Sequence, residues 1–303
     1  MKGIFSRFLL NEKGSAIIIV ALGMVVFLGL VSLVTDTGLI FASKSQLVNA
    51  VDAAALAGAQ ELPERRDLAV TTAENYAVAN GVNTDDLTIE IINNDKAIKV
   101  QAGRTVNLLF AKVLGINTGF VEHEAVAQVG PIAAIDGVVP LGIQKQKLNF
   151  GEQYTLKVGA GESDTGWFGA IALGGPGAST YEDNLTYGYQ ETISIGDIFN
   201  IEPGNMSGPT NKAINFRIAE CKHSPYCTVD HFDRDCPRLV KLPIIEVIGS
   251  KVKVVGFGVM LLDDVTGQGD DCYVKGKFVQ TILAGEISGE AENFGVLGVK
   301  LIQ

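Results

Sequence analysis

KGSAIIIVALGMVVFLGLVSLVTDTGLIFASKSQLVNAVDAAALAGA, from Lys13 to Ala59, contains 22 consecutive uncharged residues between Gly14 and Thr35. At a helical rise of about 1.5 Å per residue, that run extends roughly 33 Å, enough for a bilayer core. The h-region of a signal peptide is shorter, about 7–15 residues, and ends in a small-x-small cleavage site, which does not follow here. The alternative, a buried core helix, would need one domain to enclose a helix that is apolar on every face over a length that matches a span. Lys2, Arg7 and Lys13 against Glu12 precede the run, and Asp36 follows it. The positive flank predicts a cytoplasmic N-terminus, with everything beyond Asp36 outside.

Working outward, no proline interrupts the chain between Thr35 and Leu62, and its alanines are the best helix formers available. Ile40, Leu47, Val51, Ala54, Gly58 and Leu62 recur at helical spacing as one stripe of mostly small residues. Small side chains invite close approach, so a covering surface is expected along this stripe. Pro63 ends the pattern. The expectation is a single rod about 70 Å long: span 14–35, then stalk 36–62.

These residues carry a resemblance. Gly14 before a single span, Asp36 at its outer end, and SQLVNAVDAAALAGA with Asp52 in place resemble the N-terminal module of the TadE/TadG-like proteins of Flp (Tad) pilus assembly, over roughly residues 12–60. A looser likeness continues in LLFAKVLGINTGFVEHEAVAQVGP and EPGNMSGPTNKAINFRI. Prepilins that are cleaved carry Glu five residues after the cleaved Gly; here Ile19 stands there, which argues against processing, and Glu12 lies on the wrong side of Gly14. The metal-binding Asp-x-Ser-x-Ser motif of longer TadG proteins does not occur. The resemblance therefore implies a membrane-retained, pseudopilin-like component of the short kind. Its implied partners are the bilayer and other pilus-machine proteins: pilin, minor pseudopilins and platform proteins. Asp36, Leu47, Val51, Asp52, Ala54 and Gly58 are its candidate assembly and packing residues.

The 303-residue chain carries −10 overall; Lys2, Arg7 and Lys13 against Glu12 leave −12 for the part beyond residue 35. Such an acidic exported part argues against nucleic acid as a partner. After residues 1–13 and the rod, residues 63–130 read as a small α+β module. A helix runs over Glu64–Ala79 with Asn80–Gly81 as its C-cap, and LTIEII and AIKVQAGRTV form a hairpin around NND. A short helix in NLLFAKVLG and a strand in VEHEAVAQVG complete it. The order suits a sheet packed on the stalk, as in pilin-like subunits. Residues 131–303 alternate in short runs between glycine-rich turns and read as a mostly β domain, a sandwich or open barrel, with one helix over Asn211–Cys221. The expected fold class is α+β.

Four cysteines, Cys221, Cys227, Cys236 and Cys272, read as disulfides outside the membrane. Three pairings are open; Cys221–Cys227 with Cys236–Cys272 is favoured, the latter loop worth ~3–4 kcal/mol in the chain-entropy model. Zinc is the competing reading, because His223 and His231 share CKHSPYCTVDHFDRDC with three of the cysteines. The spacing lacks a Cys-x-x-Cys pair, so no metal is expected. His123 between Glu122 and Glu124 suggests acid–base chemistry, but in a strand the two glutamates face away from it, which favours a structural histidine. Asp263, Asp264, Asp270 and Asp271 gather on a turn in DDVTGQGDD without EF-hand spacing, as at a solvated hairpin tip. The loops GAGESD and GGPGAS lack the context of a phosphate or nucleophile site. Trp167 and Phe168 read as core. No catalytic or cofactor-binding residue is nominated. The reading is a non-catalytic assembly component, with a membrane-tethered binding module or adhesin as the alternative and a tethered enzyme as a distant third.

Overall fold

The computed structural model describes residues 12–157 and 168–302. Trp167 and the GAGESD loop lie outside the described residues, as do the side chains of Phe168 and Asp270. The chain divides into two compact units, Met1–Ala127 with Leu301–Gln303, and Gln128–Lys300.

The first unit is built on α1, a single unbroken helix of 48 residues from Glu12 to Ala59. Its first half is long and apolar enough to cross a membrane. Every large apolar side chain from Ile17 to Val34 is exposed. Ser32 and Thr35 donate their hydroxyls to the carbonyls of Leu28 and Val31, one turn back. That arrangement leaves these polar groups partnered without water. The second half is different: Leu47, Ala50, Val51, Ala54, Ala55 and Ala59 are all buried. The helix stops at Ala59 rather than at Leu62, because the last turn tightens into i→i−3 bonds, Glu61 N–H to Gly58 and Leu62 N–H to Ala59, before Pro63.

Helix α2 (Arg66–Ala79) lays Ala69, Ala73 and Ala77 against α1. It closes at Asn80 with Gly81 at φ 80°, the left-handed turn that glycine takes without strain. The hairpin follows as β1 (Leu87–Ile92) and β2 (Ala97–Asn107), paired antiparallel with Ile92 opposite Ala97. A one-turn 3-10 helix, Ala111–Leu114, precedes β3 (Thr118–Ile135). β2 and α2 are the cover that the small-residue stripe required. A Cβ at Gly58 would sit 2.8 Å from both the Ala69 carbonyl and Ile98 Cδ1, so only glycine fits at this crossing.

In the second unit the strands are β4 (Leu141–Gln144), β5 (Gln153–Lys157), β6 (Phe168–Ala170), β7 (Ile193–Ser194), β8 (Ile198–Asn200), β9 (Leu239–Ile248), β10 (Lys251–Thr266), β11 (Tyr273–Val279), β12 (Thr281–Ile282), β13 (Glu286–Ile287) and β14 (Val296–Leu301). One sheet runs β5-β11-β10-β9-β4-β6, with β8 beside β10. β7 and β13 pair with the end of β3, and β12 runs parallel to β14. Period-two alternation along β10 divides the core. Met260 and Leu262 join a cluster with Leu156, Ile214 and Phe278, while Val259 and Leu261 join another with Ile245 and Val252.

Two helices pack together in this unit, where one was expected. α4 (Ser207–Glu220) begins four residues earlier than predicted, and α3 (Ala178–Tyr187) was not predicted. α3 has only ten residues, flanked by glycines, and its buried pair is Tyr181 and Leu185, too short a pattern to stand out. Tyr181 Oη and Thr210 Oγ1 lie 2.9 Å apart across the α3–α4 contact.

Candidate functional site

Asp36 is a buried carboxylate on α1. It is 6% exposed, just past the C-terminal end of the apolar run. Its Oδ1 accepts from Leu109 N–H at 2.8 Å, its Oδ2 from Ala111 N–H at 2.6 Å, and both from Phe110 N–H at 3.3 and 3.1 Å. The carboxylate thus holds the start of the 3-10 turn Ala111–Leu114, where backbone N–H groups have no other partner. Burial alone would raise its pKa; the three N–H donors and nearby Lys112 more than offset this and hold it below the usual carboxylate range.

What this clamp presents is apolar. Leu109, Phe110, Val113, Leu114, Ile116 and Phe120 are exposed, Val113 by 88% and Leu114 by 82%. Phe41, one and a half turns along α1 from Asp36, is 75% exposed. A contiguous sequence segment this apolar, pinned to the foot of the spanning run, marks a contact surface. Sequence reading found Asp36 through the family pattern and missed the rim, because NLLFAKVLG reads equally well as a short buried helix.

Higher on α1, Asp52 Oδ1 lies 3.0 Å from His123 Nε2 on β3. His123 is therefore a structural tie between helix and strand, and Glu124 instead pairs with Lys99 of β2 at 2.7 Å. Leu47, Val51, Ala54 and Gly58 serve as packing residues under β2 and α2.

The cysteines depart from the expected pairing. Cys221 caps the end of α4, and the chain to Cys236 contains no helix or strand. It folds so that Cys221 Sγ lies 3.5 Å from Cys236 Sγ and 3.7 Å from His223 Nδ1, with Cys227 close by. Cys272 is elsewhere, its sulfur 3.5 Å from Asn211 Nδ2. No disulfide joins any of the four. The reason is that Cys272 immediately precedes β11, beside α4's first turn, while Cys236 returns to the residue that follows α4's last. His231 is exposed and outside the group. Burial opposes charge on Cys221, yet the His223 ring, Cys236 and the N–H groups of His223 and Cys227 outweigh it and lower that thiol's pKa; burial pushes the Cys236 thiol up.

Two other candidates move. Asp263 and Asp264 lie on β10, not on its turn, and each faces a cation: Arg238 at 3.1 Å and Lys275 at 3.9 Å. GGPGAS leads into α3, where Glu202 Oε1 accepts the Gly177 N–H at 2.7 Å, filling the position an anion would take.

Comparison with curated proteins gave no match, and comparison with solved structures gave none either. One family model does match, described as "Putative Flp pilus-assembly TadE/G-like", and it covers residues 14–61. Those residues are α1 from its third residue to just past its end, including Asp36, Asp52 and the small-residue stripe as far as Gly58. Residues 14–61 are thus similar to a TadE/G-like, Flp pilus-assembly-related module, and they hold the one helix among the described residues that is long and apolar enough to cross a membrane.

Proposed function

We propose that this protein is a non-catalytic, pseudopilin-like component of a Tad/Flp-type pilus or secretion machine. It sits with its N-terminus in the cytoplasm and everything beyond Asp36 outside. The observation that carries this reading is the Asp36 clamp. It fixes an apolar rim, Leu109 to Ile116, at the level where α1 leaves the lipid. A rim so placed meets either the outer leaflet's interface or the membrane-embedded part of a neighbouring subunit, and both serve assembly. Its mechanism is association: the span holds the chain beside platform proteins, and the rim and module surfaces engage pilin or minor components.

Photo-crosslinking from Val113 and Leu114 in intact membranes tests this. Adducts with pilus-machine proteins are the expected result, and adducts from an exposed position such as Glu220 should be absent or different. Crosslinks to an external ligand, with no machine protein among them, would instead support a membrane-tethered binding module or adhesin.

A further inference from the structure

We propose that Cys221, His223, Cys227 and Cys236 form a structural binding site for a zinc-class divalent metal, one that crosslinks an otherwise irregular segment of the second unit. The four ligand atoms all lie within 4.8 Å of one another. A tetrahedral ion with sulfur at about 2.3 Å and nitrogen at 2.0–2.1 Å needs S···S separations of about 3.8 Å and S···N of about 3.6 Å. Cys221 Sγ already meets that geometry, at 3.5 Å from Cys236 Sγ and 3.7 Å from His223 Nδ1. The remaining contraction is at most about 1 Å, within the reach of side-chain rotation. Three sulfurs and one imidazole are the ligand set that soft-to-borderline divalent ions prefer.

The surroundings are built for the same purpose. His223 turns its other nitrogen, Nε2, toward Asp233 Oδ2 at 3.7 Å, which leaves Nδ1 aimed at the sulfurs. A carboxylate behind a ligating imidazole orients the ring and raises its basicity. The buried Arg238 donates to the Cys227 carbonyl at 2.9 Å and the buried Arg217 to the Pro237 carbonyl at 2.9 Å, so the middle of the segment and its exit are both fixed. Cys221, Cys227 and Cys236 are 3–7% exposed, and His223 closes the outer side. On binding, the three thiols release their protons to solvent, and His223 gives its neutral Nδ1 lone pair. Four protein ligands leave no open position, so the ion would hold structure and perform no chemistry.

Two simpler arrangements use the same residues less completely. A disulfide between Cys221 and Cys236 would leave the Cys227 thiol and His223 converging on nothing. Three thiols acting only as small apolar side chains would have no need of an imidazole aimed at them.

The test uses the full chain, purified in detergent without a polyhistidine tag from zinc-supplemented medium. Elemental analysis should find about one zinc per chain, with four free thiols titrating after denaturation without reductant. Cobalt(II) exchanged into the site should give thiolate-to-metal charge-transfer absorption. Cys227→Ser and His223→Ala should lose the metal, whereas Cys272→Ser and His231→Ala should keep it. His223→Cys should bind cobalt with stronger charge-transfer absorption, which covers the case in which the alanine variant fails to fold. Metal-free chains with four free thiols, a disulfide joining any two of Cys221, Cys227 and Cys236, or metal retained by folded Cys227→Ser would each overturn the proposal.

Discussion

Asp36 carries one negative charge into a place that water barely reaches, and three N–H groups answer it. An amide there offers one acceptor oxygen and an NH2 that faces donors. Asp36→Asn should therefore release the turn at Ala111–Leu114, and the amides of Leu109, Phe110 and Ala111 should exchange roughly tenfold faster or more by hydrogen–deuterium mass spectrometry. The pH dependence follows from the lowered pKa. A folded value below the unfolded one, about 3.9, gives a contribution fully present above pH ~4 and lost as pH falls through the folded value. Protection of these three amides should hold steady from neutral pH to about 5 and fall only below ~4. Loss near pH 6 would point to a different titrating group. Residue identity announced Asp36, since a charge at the end of an apolar run is conspicuous, but its partners lie more than seventy positions away. The cysteines repeat the lesson: order along the chain paired Cys236 with Cys272, and only the fold returned Cys236 to the end of α4.

Among the elements, α1 was the most legible, because apolar length and proline-free continuity need no tertiary knowledge. Its small-residue stripe predicts close cover, and the cover is close. Gly58→Leu must displace the Ala69 carbonyl or Ile98, and should cost ~1–3 kcal/mol in urea unfolding of the full chain in detergent. No change in the unfolding midpoint would mean that the α1–α2 crossing can open freely. The helix pair of the second unit was half legible: α4 has the longer pattern, while α3 is recognisable only from Tyr181 and Leu185 one turn apart. Arg217 binds that pair together. It donates from Nε to the Leu185 carbonyl at 2.6 Å and from Nη1 to that of Pro237 at 2.9 Å. Burial lowers its pKa to about 10, so it remains charged at neutral pH. Arg217→Met keeps most of the volume and strands both carbonyls, for an expected loss of ~2–4 kcal/mol by the same measurement; a neutral result would mean that water or a neighbour replaces the guanidinium.

For the molecule as a whole, the proposed orientation rests on the positive flank before the span. A reporter enzyme that folds only outside the cytoplasm, fused after Gln303, should be active, and one that works only inside should be silent; the reverse pattern would invert the topology. With Ile19 where cleaved prepilins carry Glu, the mature chain should retain its span. N-terminal sequencing that began at Ser15 would show prepilin-type processing, and a start near Ala42 would show signal removal. The rim Leu109–Ile116 was invisible at this scale beforehand, because exposure is decided by what packs nearby and not by composition. One feature of α1 reaches further. The helix passes from lipid to module without proline or a break between Glu12 and Ala59, so it behaves as a drive shaft. Inserting one residue in its apolar half advances everything outward by about 100° of azimuth and only about 1.5 Å of height. In the proposed assembly, neighbours that grip Gly14–Thr35 would therefore set the compass bearing of the apolar rim in the plane of the membrane. One alanine inserted after Leu28 should swing the rim away from its partner and abolish docking, whereas Leu28→Ala, which leaves the bearing unchanged, should not.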